Sequence, residues 1–430
     1  MVSVDTVVIG AGHAGLAVSR LLTARGHEHV VLDRGRLAER WRSERWDSLH
    51  LLSPNWTARL PGWCYTGQDP DGFMSTAELV GHLEEYAASF AAPVQSLTTV
   101  EAVSASSVGY RVTTERGVVR AAHVVVATGA AGTPHVPPPL QGAGGRRRAP
   151  RGIDVITSNA YRNPDQLPAG AVLVVGASSS GVQIADELSR WGRDVVLAVG
   201  GHSRMPRRYR GMDCYWWMER TGRWATSIDQ VRDVAAARRE PSLQLAGPRS
   251  DGRYVGDLDL ATLQSRGVRL VGRLADLDRR GVARFRDDLA ATVGEADRGM
   301  TRFLDSVDRY VEGSGLTGEV WPAQRPAPVA VPDRVATRLH LAAEGITSIV
   351  LATGFRPHHP WLRLPVIDTD GSIRQHRGVT PAPGLYVVGQ RFQHRRDSAT
   401  IGGARYDARS VVEHLLSRCT EPCCGVGGAR

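Results

Sequence analysis

Short apolar runs alternate with longer amphipathic stretches along the chain, and this pattern predicts an α/β protein. Four of the runs are rich in β-branched residues and too short for helices, so they predict buried parallel strands. They cover residues 6–9, 30–32, 171–175 and 195–199. A glycine-rich turn and a helical stretch, expected over about 14–24 and 182–191, separate the two runs of each pair. The chain is therefore expected to form two Rossmann-like dinucleotide-binding domains.

The first glycine turn reads Gly10-Ala11-Gly12-His13-Ala14-Gly15. Gly10 permits the tight turn, Gly12 lets the backbone approach a pyrophosphate, and Gly15 lets the helix pack closely on the sheet. Asp33 ends the next strand about 20 residues later, where such folds carry the acid that binds ribose hydroxyls. We expect FAD here. The residues predicted to hold it at this turn are Gly10, Gly12, Ala14, Gly15, Asp33 and Arg34.

The second turn repeats this plan with two changes. It reads Gly176-Ala177-Ser178-Ser179-Ser180-Gly181, so a serine replaces the middle glycine. The next strand ends without an acid and is followed by His202, Ser203, Arg204, Arg207 and Arg208. Cationic groups at this place suit the 2′-phosphate of NADPH. We therefore predict NADPH at Gly176, Ser178, Ser179, Ser180, Gly181, His202, Ser203, Arg204 and Arg207, with a solvated basic loop as the alternative.

The remaining pattern predicts how these units are connected. A helix is expected over 76–92, with strands near 98–103, 110–114, 118–121, 124–128, 349–351 and 385–388, and a last helix over 406–418. Prolines and the run Arg146–Arg148 predict a linker. We expect residues 1–150 and 349–430 to form the FAD-binding domain. Residues 151–348 are expected to form the NADPH-binding domain, with a helical insertion over about 207–325.

Within this insertion, apolar residues recur at spacings of three and four, which predicts an amphipathic helix with a break near Gly294 or Gly299. The stripe comprises Phe285, Leu289, Val293, Met300, Phe303, Leu304, Val307 and Val311. It belongs to the core or, alternatively, to a lid or a homodimer surface. The aromatic residues between Tyr209 and Trp224 either clamp a planar substrate or form core.

Composition excludes several classes of function. The 430 residues include no lysine, and the net charge of +9 comes with no recognisable nucleic-acid-binding module, so we expect no nucleic-acid partner. No apolar run approaches the length of about 20 residues that a membrane helix needs. With no signal segment at the N-terminus, a cytoplasmic protein is expected. The five cysteines form no CxxC pair, and we expect no metal site.

Together these features resemble the class B flavin-dependent monooxygenases, which include flavin-containing, Baeyer–Villiger and N-hydroxylating enzymes. The resemblance rests on the two turns, the Ala-Thr-Gly endings at 127–129 and 352–354, and the segment from Ser158 to Pro164. It implies further FAD-binding residues, which are Trp41, Trp46, Val103, Thr128, Gly129, Gly389 and Gln390. It also implies NADPH contacts at Tyr161, Thr353 and Gly354.

Three positions depart from the family pattern. The linker signature Phe-x-Gly-x-x-x-His is replaced by Arg151, Ile153 and Thr157, and the loss of its histidine weakens the assignment to either main subclass. The late strand ends in Gly389-Gln390 where relatives usually carry Gly-Asp. Ser178 is the third departure.

The resemblance implies that NADPH reduces FAD and that one oxygen atom of O₂ enters a small organic substrate through a C4a-(hydro)peroxyflavin. The polar block 392–398 suggests Gln393, His394 and Arg395 as substrate-side candidates, with a solvated loop as the alternative. An NAD(P)H-dependent flavin reductase or oxidase and a redox-sensing flavoprotein remain alternative functions.

Overall fold

The computed structural model describes residues 2–141, 149–244 and 256–420. The predicted linker run at 146–148 and the terminal residues Cys423 and Cys424 lie outside these ranges.

Strands occupy the following segments: β1 (Val2–Ile9), β2 (His29–Leu32), β3 (Arg59–Leu60), β4 (Trp63–Cys64), β5 (Val94–Gln95), β6 (Val100–Ala105), β7 (Tyr110–Thr114), β8 (Gly117–Val126), β9 (Thr133–Pro134), β10 (Asp154–Thr157), β11 (Ala171–Val175), β12 (Val195–Ala198), β13 (Ser203–Arg204), β14 (Arg208–Tyr209), β15 (Met212–Asp213), β16 (Leu243–Gln244), β17 (Arg269–Val271), β18 (Leu274–Leu277), β19 (Val282–Phe285), β20 (Arg338–His340), β21 (Ile346–Leu351), β22 (Phe355–Arg356) and β23 (Leu385–Val387).

Helices occupy the following segments: α1 (His13–Thr23), α2 (Glu39–Ser43), α3 (Thr76–Ala88), α4 (Ser179–Arg190), α5 (Cys214–Arg220), α6 (Val234–Arg239), α7 (Leu260–Ser265), α8 (Leu289–Gly313) and α9 (Ala404–Thr420).

The first large sheet has the order β5-β2-β1-β8-β7-β6, and β23 also pairs with β8. Its central strands β2, β1, β8 and β23 run parallel, and helix α1 makes the crossover connection from β1 to β2. Helices α1, α3 and α9 cover that face with a continuous apolar core. Residues 117–126 form one strand, β8, where we expected two separate ones.

The second sheet is entirely parallel and has the order β10-β21-β11-β12-β17. Buried apolar residues from α4 and α7 pack on one of its faces. Both sheets are therefore Rossmann-like, which confirms the predicted fold class. The domain boundary that we expected after residue 348 falls inside β21, whose six residues all lie in this second sheet.

The insertion between 207 and 325 is only partly helical. It includes β17, which completes the second sheet, and β18 and β19, which pair with β20 in a small antiparallel sheet. Helix α8 runs unbroken from Leu289 to Gly313, although two of its glycines led us to expect a break. Each glycine costs a helix about 1 kcal/mol relative to alanine, and the buried stripe from Met300 to Val311 outweighs that cost. This stripe forms core rather than an exposed surface.

Candidate functional site

The first glycine turn connects β1 to α1 and has the geometry that a pyrophosphate requires. Gly10 has a φ of +112°, and a Cβ on it would lie 2.6 Å from the carbonyl oxygen of Ala127. A Cβ on Gly12 would meet no atom within 4 Å, so the space in front of the turn is open to a ligand. The N-terminus of α1, which attracts anions, begins at His13. The turn therefore fits the diphosphate of FAD.

Asp33 follows β2 and joins its end to this turn. Its Oδ2 accepts the N–H of Ala11 at 2.7 Å, and its Oδ1 accepts the N–H of Gly35 at 2.9 Å. Because each carboxylate oxygen has a second acceptor site, Asp33 retains the capacity to bind ribose hydroxyls. Arg34 beside it is exposed and pairs with Glu44.

The sequence interpretation missed His13, which lies inside the same turn. Burial lowers the pKa of its imidazole to about 4, so the ring is neutral at pH 7. Its Nε2 atom is buried and has no hydrogen-bond partner among the described residues. A bound polar group would satisfy such an atom. The only signal in the sequence is the position of His13 between two glycines of the turn.

Four other predicted FAD ligands lie where β8 and β23 end. The Nε2 of Gln390 donates to the carbonyl of Gly129 at 3.3 Å, and a Cβ on Gly389 would lie 2.8 Å from the Cβ of Ala14. Thr128 precedes Gly129, and its carbonyl accepts a hydrogen bond from Arg40. The structure thus brings Thr128, Gly129, Gly389 and Gln390 to the edge of the first turn.

The other predicted FAD ligands are packed into the protein. Trp41 is half-buried between the two cores. The guanidinium carbon of Arg45 lies over its indole ring, 4.9 Å from the ring centroid. Trp46 is buried in the second core. Val103 is fully buried, its N–H donates to Trp361, and its carbonyl accepts from Arg363. Burial argues against the FAD contacts predicted for Trp46 and Val103.

The polar block after β23 is mainly structural. Gln393 is fully buried, and its Nε2 donates to the carbonyl of Val387 at 2.8 Å, so it does not face a substrate as we expected. Arg395 pairs with Asp397, and its guanidinium lies 3.8 Å from the ring centroid of Tyr406. His394 is mostly buried, and burial lowers its pKa.

A buried carboxyl group lies behind this block. Asp407, in the first turn of α9, is fully buried, and burial raises its pKa to about 7. The nearby Ser398 hydroxyl lowers that pKa somewhat, yet neither carboxyl oxygen has a partner in hydrogen-bonding geometry among the described residues. The Nδ1 of His394 lies 4.0 Å from its Oδ1.

The second glycine turn has the same backbone design as the first. A Cβ on Gly176 would lie 2.4 Å from the carbonyl oxygen of Ala352, and a Cβ on Gly181 would lie 1.8 Å from the carbonyl oxygen of Gly176. Ser178 has φ −81° and ψ −173°, close to the −83° and −179° of Gly12. Ser179 and Ser180 form the first residues of α4, so their amides lie at a helix N-terminus. The turn fits a second dinucleotide.

Gln244 is a further residue at this turn that the sequence interpretation missed. Its Nε2 donates to the carbonyl of Ala177, while its Oε1 is buried without a partner among the described residues. This oxygen is an acceptor available to a bound group. Gln244 is 67 residues from Ala177 in the chain, so no local pattern pointed to it.

Tyr161 does not line the second site as we predicted. Its side chain is fully buried in the second core, and its hydroxyl donates to Glu187 at 2.6 Å. Burial and the Glu187 carboxylate raise the pKa of Tyr161. Thr353 and Gly354 are both hydrogen-bonded to His135. The Thr353 hydroxyl donates to the carbonyl of His135, and the N–H of His135 donates to the carbonyl of Gly354.

The arginines that we expected to bind a 2′-phosphate are already occupied. Arg204 is only 5% exposed and donates to Asp259 at 2.7 Å and to Asp297 at 2.6 Å. Arg207 is fully buried and pairs with Asp213. Neither guanidinium is available to a ligand, and this corrects the role predicted for both. His202 is buried, with its Nδ1 bonded to the carbonyl of Gly200; Ser203 begins β13.

A small cavity lies between the loop at 53–59, helix α5 and the N-terminus of α9. Its lining combines four aromatic side chains, Trp56, Tyr215, Trp224 and Tyr406, with charged ones. Arg59 pairs there with Glu219 and Arg395 with Asp397, which leaves Arg405 as the third cation. Of the aromatics in the insertion, Tyr209 and Trp217 are core, whereas Tyr215 and Trp224 face this cavity. The core alternative is thus met by Tyr209 and Trp217, while the substrate clamp stays a prediction for Tyr215 and Trp224.

The described residues contain neither a membrane-spanning helix nor a metal-binding group of side chains. In those ranges, no helix has the length and apolar character that crossing a membrane requires. There, too, no three His, Cys, Asp or Glu side chains group so that they would hold a metal ion.

Comparison with known proteins places this geometry in a family. Residues 7–212 match the family model described as pyridine nucleotide-disulphide oxidoreductase. Indole-3-pyruvate monooxygenase YUCCA4 of Oryza sativa subsp. japonica is 32% identical over 443 aligned positions, covering 96% of this chain and 87% of that protein. A Geobacillus kaustophilus protein named uncharacterized oxidoreductase CzcO-like is 29% identical and covers 96% of this chain and 99% of its own length.

Among solved structures, the flavin-containing monooxygenase from Stenotrophomonas maltophilia superimposes with a TM-score of 0.65 at 22% identity. The match covers 98% of this chain and all of that one, so the two share their fold. The predicted use of FAD and NADPH agrees with these relationships. The chain belongs to the class B flavin-dependent monooxygenases.

Proposed function

We propose that this protein is an FAD- and NADPH-dependent monooxygenase that inserts one oxygen atom from O₂ into a small organic substrate. The observation that carries the proposal is the pair of glycine turns with the same backbone geometry, one on each sheet of a single chain. A monooxygenase benefits from holding both dinucleotides, because the nicotinamide nucleotide helps to exclude water.

The residues proposed to hold FAD are those that surround the open space at the first turn: Gly10, Gly12, Ala14, Gly15, Asp33, Thr128, Gly129, Gly389, Gln390 and His13. The residues proposed to hold NADPH are Gly176, Ser178, Ser179, Ser180, Gly181 and Gln244. When bound, FAD would accept a hydride from NADPH and activate O₂, which no side chain of this protein can do.

The protein's own part is orientation and proton control. The amides of α1 and α4 would bind the two pyrophosphates. Asp407 is proposed to be a proton-holding group behind the loop at 389–403, because its pKa of about 7 permits it to be protonated or ionised near neutral pH. The buried oxygens of Asp407 and Nδ1 of His394, 4.0 Å apart, provide the donor and acceptor atoms of such a role.

We propose that the cavity beside α9 takes a planar substrate that carries an anionic group. Four aromatic side chains line it, and Arg405, whose described hydrogen bond goes to the Tyr406 hydroxyl, supplies a cation. Aromatic faces and an arginine suit such a ligand. The name of the rice relative, indole-3-pyruvate monooxygenase, describes a substrate of this kind for that protein.

Isotope labelling tests the reaction. Purified protein should be yellow, NADPH should bleach the flavin without oxygen, and ¹⁸O₂ should place one ¹⁸O atom in an aromatic acid from a substrate panel, as seen by mass spectrometry. Consumption of NADPH that yields only hydrogen peroxide with every substrate would establish the oxidase alternative. A disulfide reductase is disfavoured, because it needs a pair of cysteines beside the flavin. Cys64 and Cys214, the cysteines whose side chains are described, lie far apart in sequence, one exposed and the other buried, and form no disulfide.

A further inference from the structure

In the second sheet, the adenosine ribose of a bound nucleotide would lie near the ends of strands β12 and β17. Strands β12 and β17 are parallel neighbours, and Ala198 pairs with Val271. Beyond them the N–H of Val199 still donates to the carbonyl of Val271, at 2.9 Å. Rossmann-like sites read the ribose and its 2′-substituent just after the second strand, here β12. Residues that follow β17 therefore stand beside that point.

Arg273 occupies this position from the neighbouring strand. The site where a Cβ of Gly200 would stand is 4.0 Å from the Nε of Arg273 and has no other heavy atom within 4 Å. The missing side chain at Gly200 thus leaves room for this guanidinium at the end of β12. Gly201, next along the chain, has nothing within 4 Å of its Cβ position.

Asp288 holds the backbone of Arg273 in place and forms one long ion pair with its side chain. The backbone N–H of Arg273 donates to Oδ1 of Asp288 at 3.0 Å, and its carbonyl accepts from Arg286 at 2.9 Å. Its Nε lies 3.6 Å from Oδ2 of Asp288, the only carboxylate of the described residues within 4.0 Å. The side chain is 49% exposed, whereas Arg204 and Arg207 are buried and each forms an ion pair with a nearby aspartate.

We propose that Arg273 binds the 2′-phosphate of NADPH and sets the preference over NADH, an inference that rests on the proposed use of NADPH. An exposed guanidinium presents several N–H donors, and phosphate is the partner that its planar fork matches best. The site differs from the loop arginines that the sequence suggested. The selecting charge comes from the end of β17, across the sheet from the loop that follows β12.

Binding of two nucleotides to the FAD-loaded protein tests this directly, without turnover. Adenosine 2′,5′-bisphosphate carries the 2′-phosphate, and 5′-AMP lacks it. Calorimetry should show that Arg273→Ala weakens the bisphosphate by 10- to 100-fold and leaves 5′-AMP unchanged, as expected for loss of a charged hydrogen bond. Arg269→Ala is the matched control, because Arg269 begins β17, the strand that Arg273 follows, is similarly exposed and pairs with Glu344. It should change neither affinity.

The outcomes separate this inference from the proposed function. If wild-type protein binds both nucleotides equally, the proposed use of NADPH in preference to NADH is wrong. If wild-type protein prefers the bisphosphate and Arg273→Ala keeps that preference, Arg273 is not the selecting residue and the proposed function stands. An equal loss of both affinities in Arg273→Ala would also overturn the inference, since it would show damage to the whole site.

Discussion

The two glycine turns share a backbone and differ in what surrounds them. In each, the first glycine's N–H donates to the end of the next strand: Gly10 to Leu32, and Gly176 to Ala198. The residue after that point is Asp33 in the first site and the fully buried Val199 in the second. A cradle for a pyrophosphate is therefore built from local sequence, while the group that distinguishes one nucleotide from another can be replaced or supplied from elsewhere.

The charged side chains that are buried near the two turns also differ in whether they have a partner. Beside the second turn, the buried Arg204 has two carboxylate partners. On the side of the first turn, the carboxyl of Asp407 is buried with no hydrogen-bonded partner in the described structure. Paired burial stabilises a fixed arrangement, whereas unpaired burial moves a pKa toward neutrality. Only the second kind of site can exchange a proton near pH 7.

The largest expected effect comes from filling each turn with the same side chain. Gly12→Val should yield folded but colourless protein, because a Cβ at this position meets no protein atom within 4 Å and the side chain would occupy the space of the pyrophosphate. Ser178→Val is the matched variant, since Ser178 has nearly the same backbone angles. It should remain yellow but lose reduction by NADPH. The flavin content by absorbance and the reduction rate measure the two effects, and stoichiometric FAD in Gly12→Val would contradict the assignment of the first site.

The second prediction concerns the charge cluster that the sequence interpretation assigned to NADPH. Arg204→Ala should destabilise the protein by about 3–5 kcal/mol, because it leaves the buried Asp259 and the mostly buried Asp297 without their cation. Arg34→Ala, which breaks the exposed pair with Glu44, should cost less than about 1 kcal/mol. Denaturant unfolding of the FAD-loaded proteins gives both values. A stable Arg204→Ala variant with weakened NADPH binding would restore the original role of this arginine.

These two predictions mark what the sequence could reveal. The strands and the turns were predictable because apolar runs and glycines act over a few residues. The partners of Arg204 were not, since Asp259 and Asp297 are 55 and 93 residues away. A buried polar residue looks like an exposed one in sequence, so Tyr161 and Gln393 appeared to be ligands although both lie in the interior. The predicted residues of the first site are mostly local to β1, α1 and β2, so more of them lie at their glycine turn than at the second site.

The third prediction concerns Asp407, the carboxyl group that is buried without a hydrogen-bonded partner in the described structure. Burial raises the pKa of Asp407 from its ordinary value of 3.8 to about 7 in the folded protein. Between about pH 4 and 7 the folded protein therefore holds a proton that the unfolded chain has lost. Its contribution to stability is therefore present below pH 4 and is lost as the pH rises through 7. Asp407→Asn should gain on the order of 2–4 kcal/mol over wild type at pH 8–9 and nothing near pH 4. Unfolding of both FAD-loaded proteins across this range measures the difference, and a pH-independent difference would show that Asp407 does not titrate there.

The smallest expected effect comes from giving the second site an acid like that of the first. Gly200→Asp would place a carboxylate close to the guanidinium of Arg273, where the structure has room for it. The new charge should pair with Arg273 and repel the 2′-phosphate, so the preference for NADPH over NADH should fall about 10-fold, which corresponds to about 1.4 kcal/mol. Gly201→Asp adds the same charge one residue farther along the loop, also without a clash, and should change the preference less. Initial rates of flavin reduction over a range of each nucleotide give both ratios. Equal changes in the two variants would show that the overall charge of the loop, rather than the contact at Gly200, discriminates between the nucleotides. The contrast between an acid in the first site and a cation in the second would then lose its structural basis.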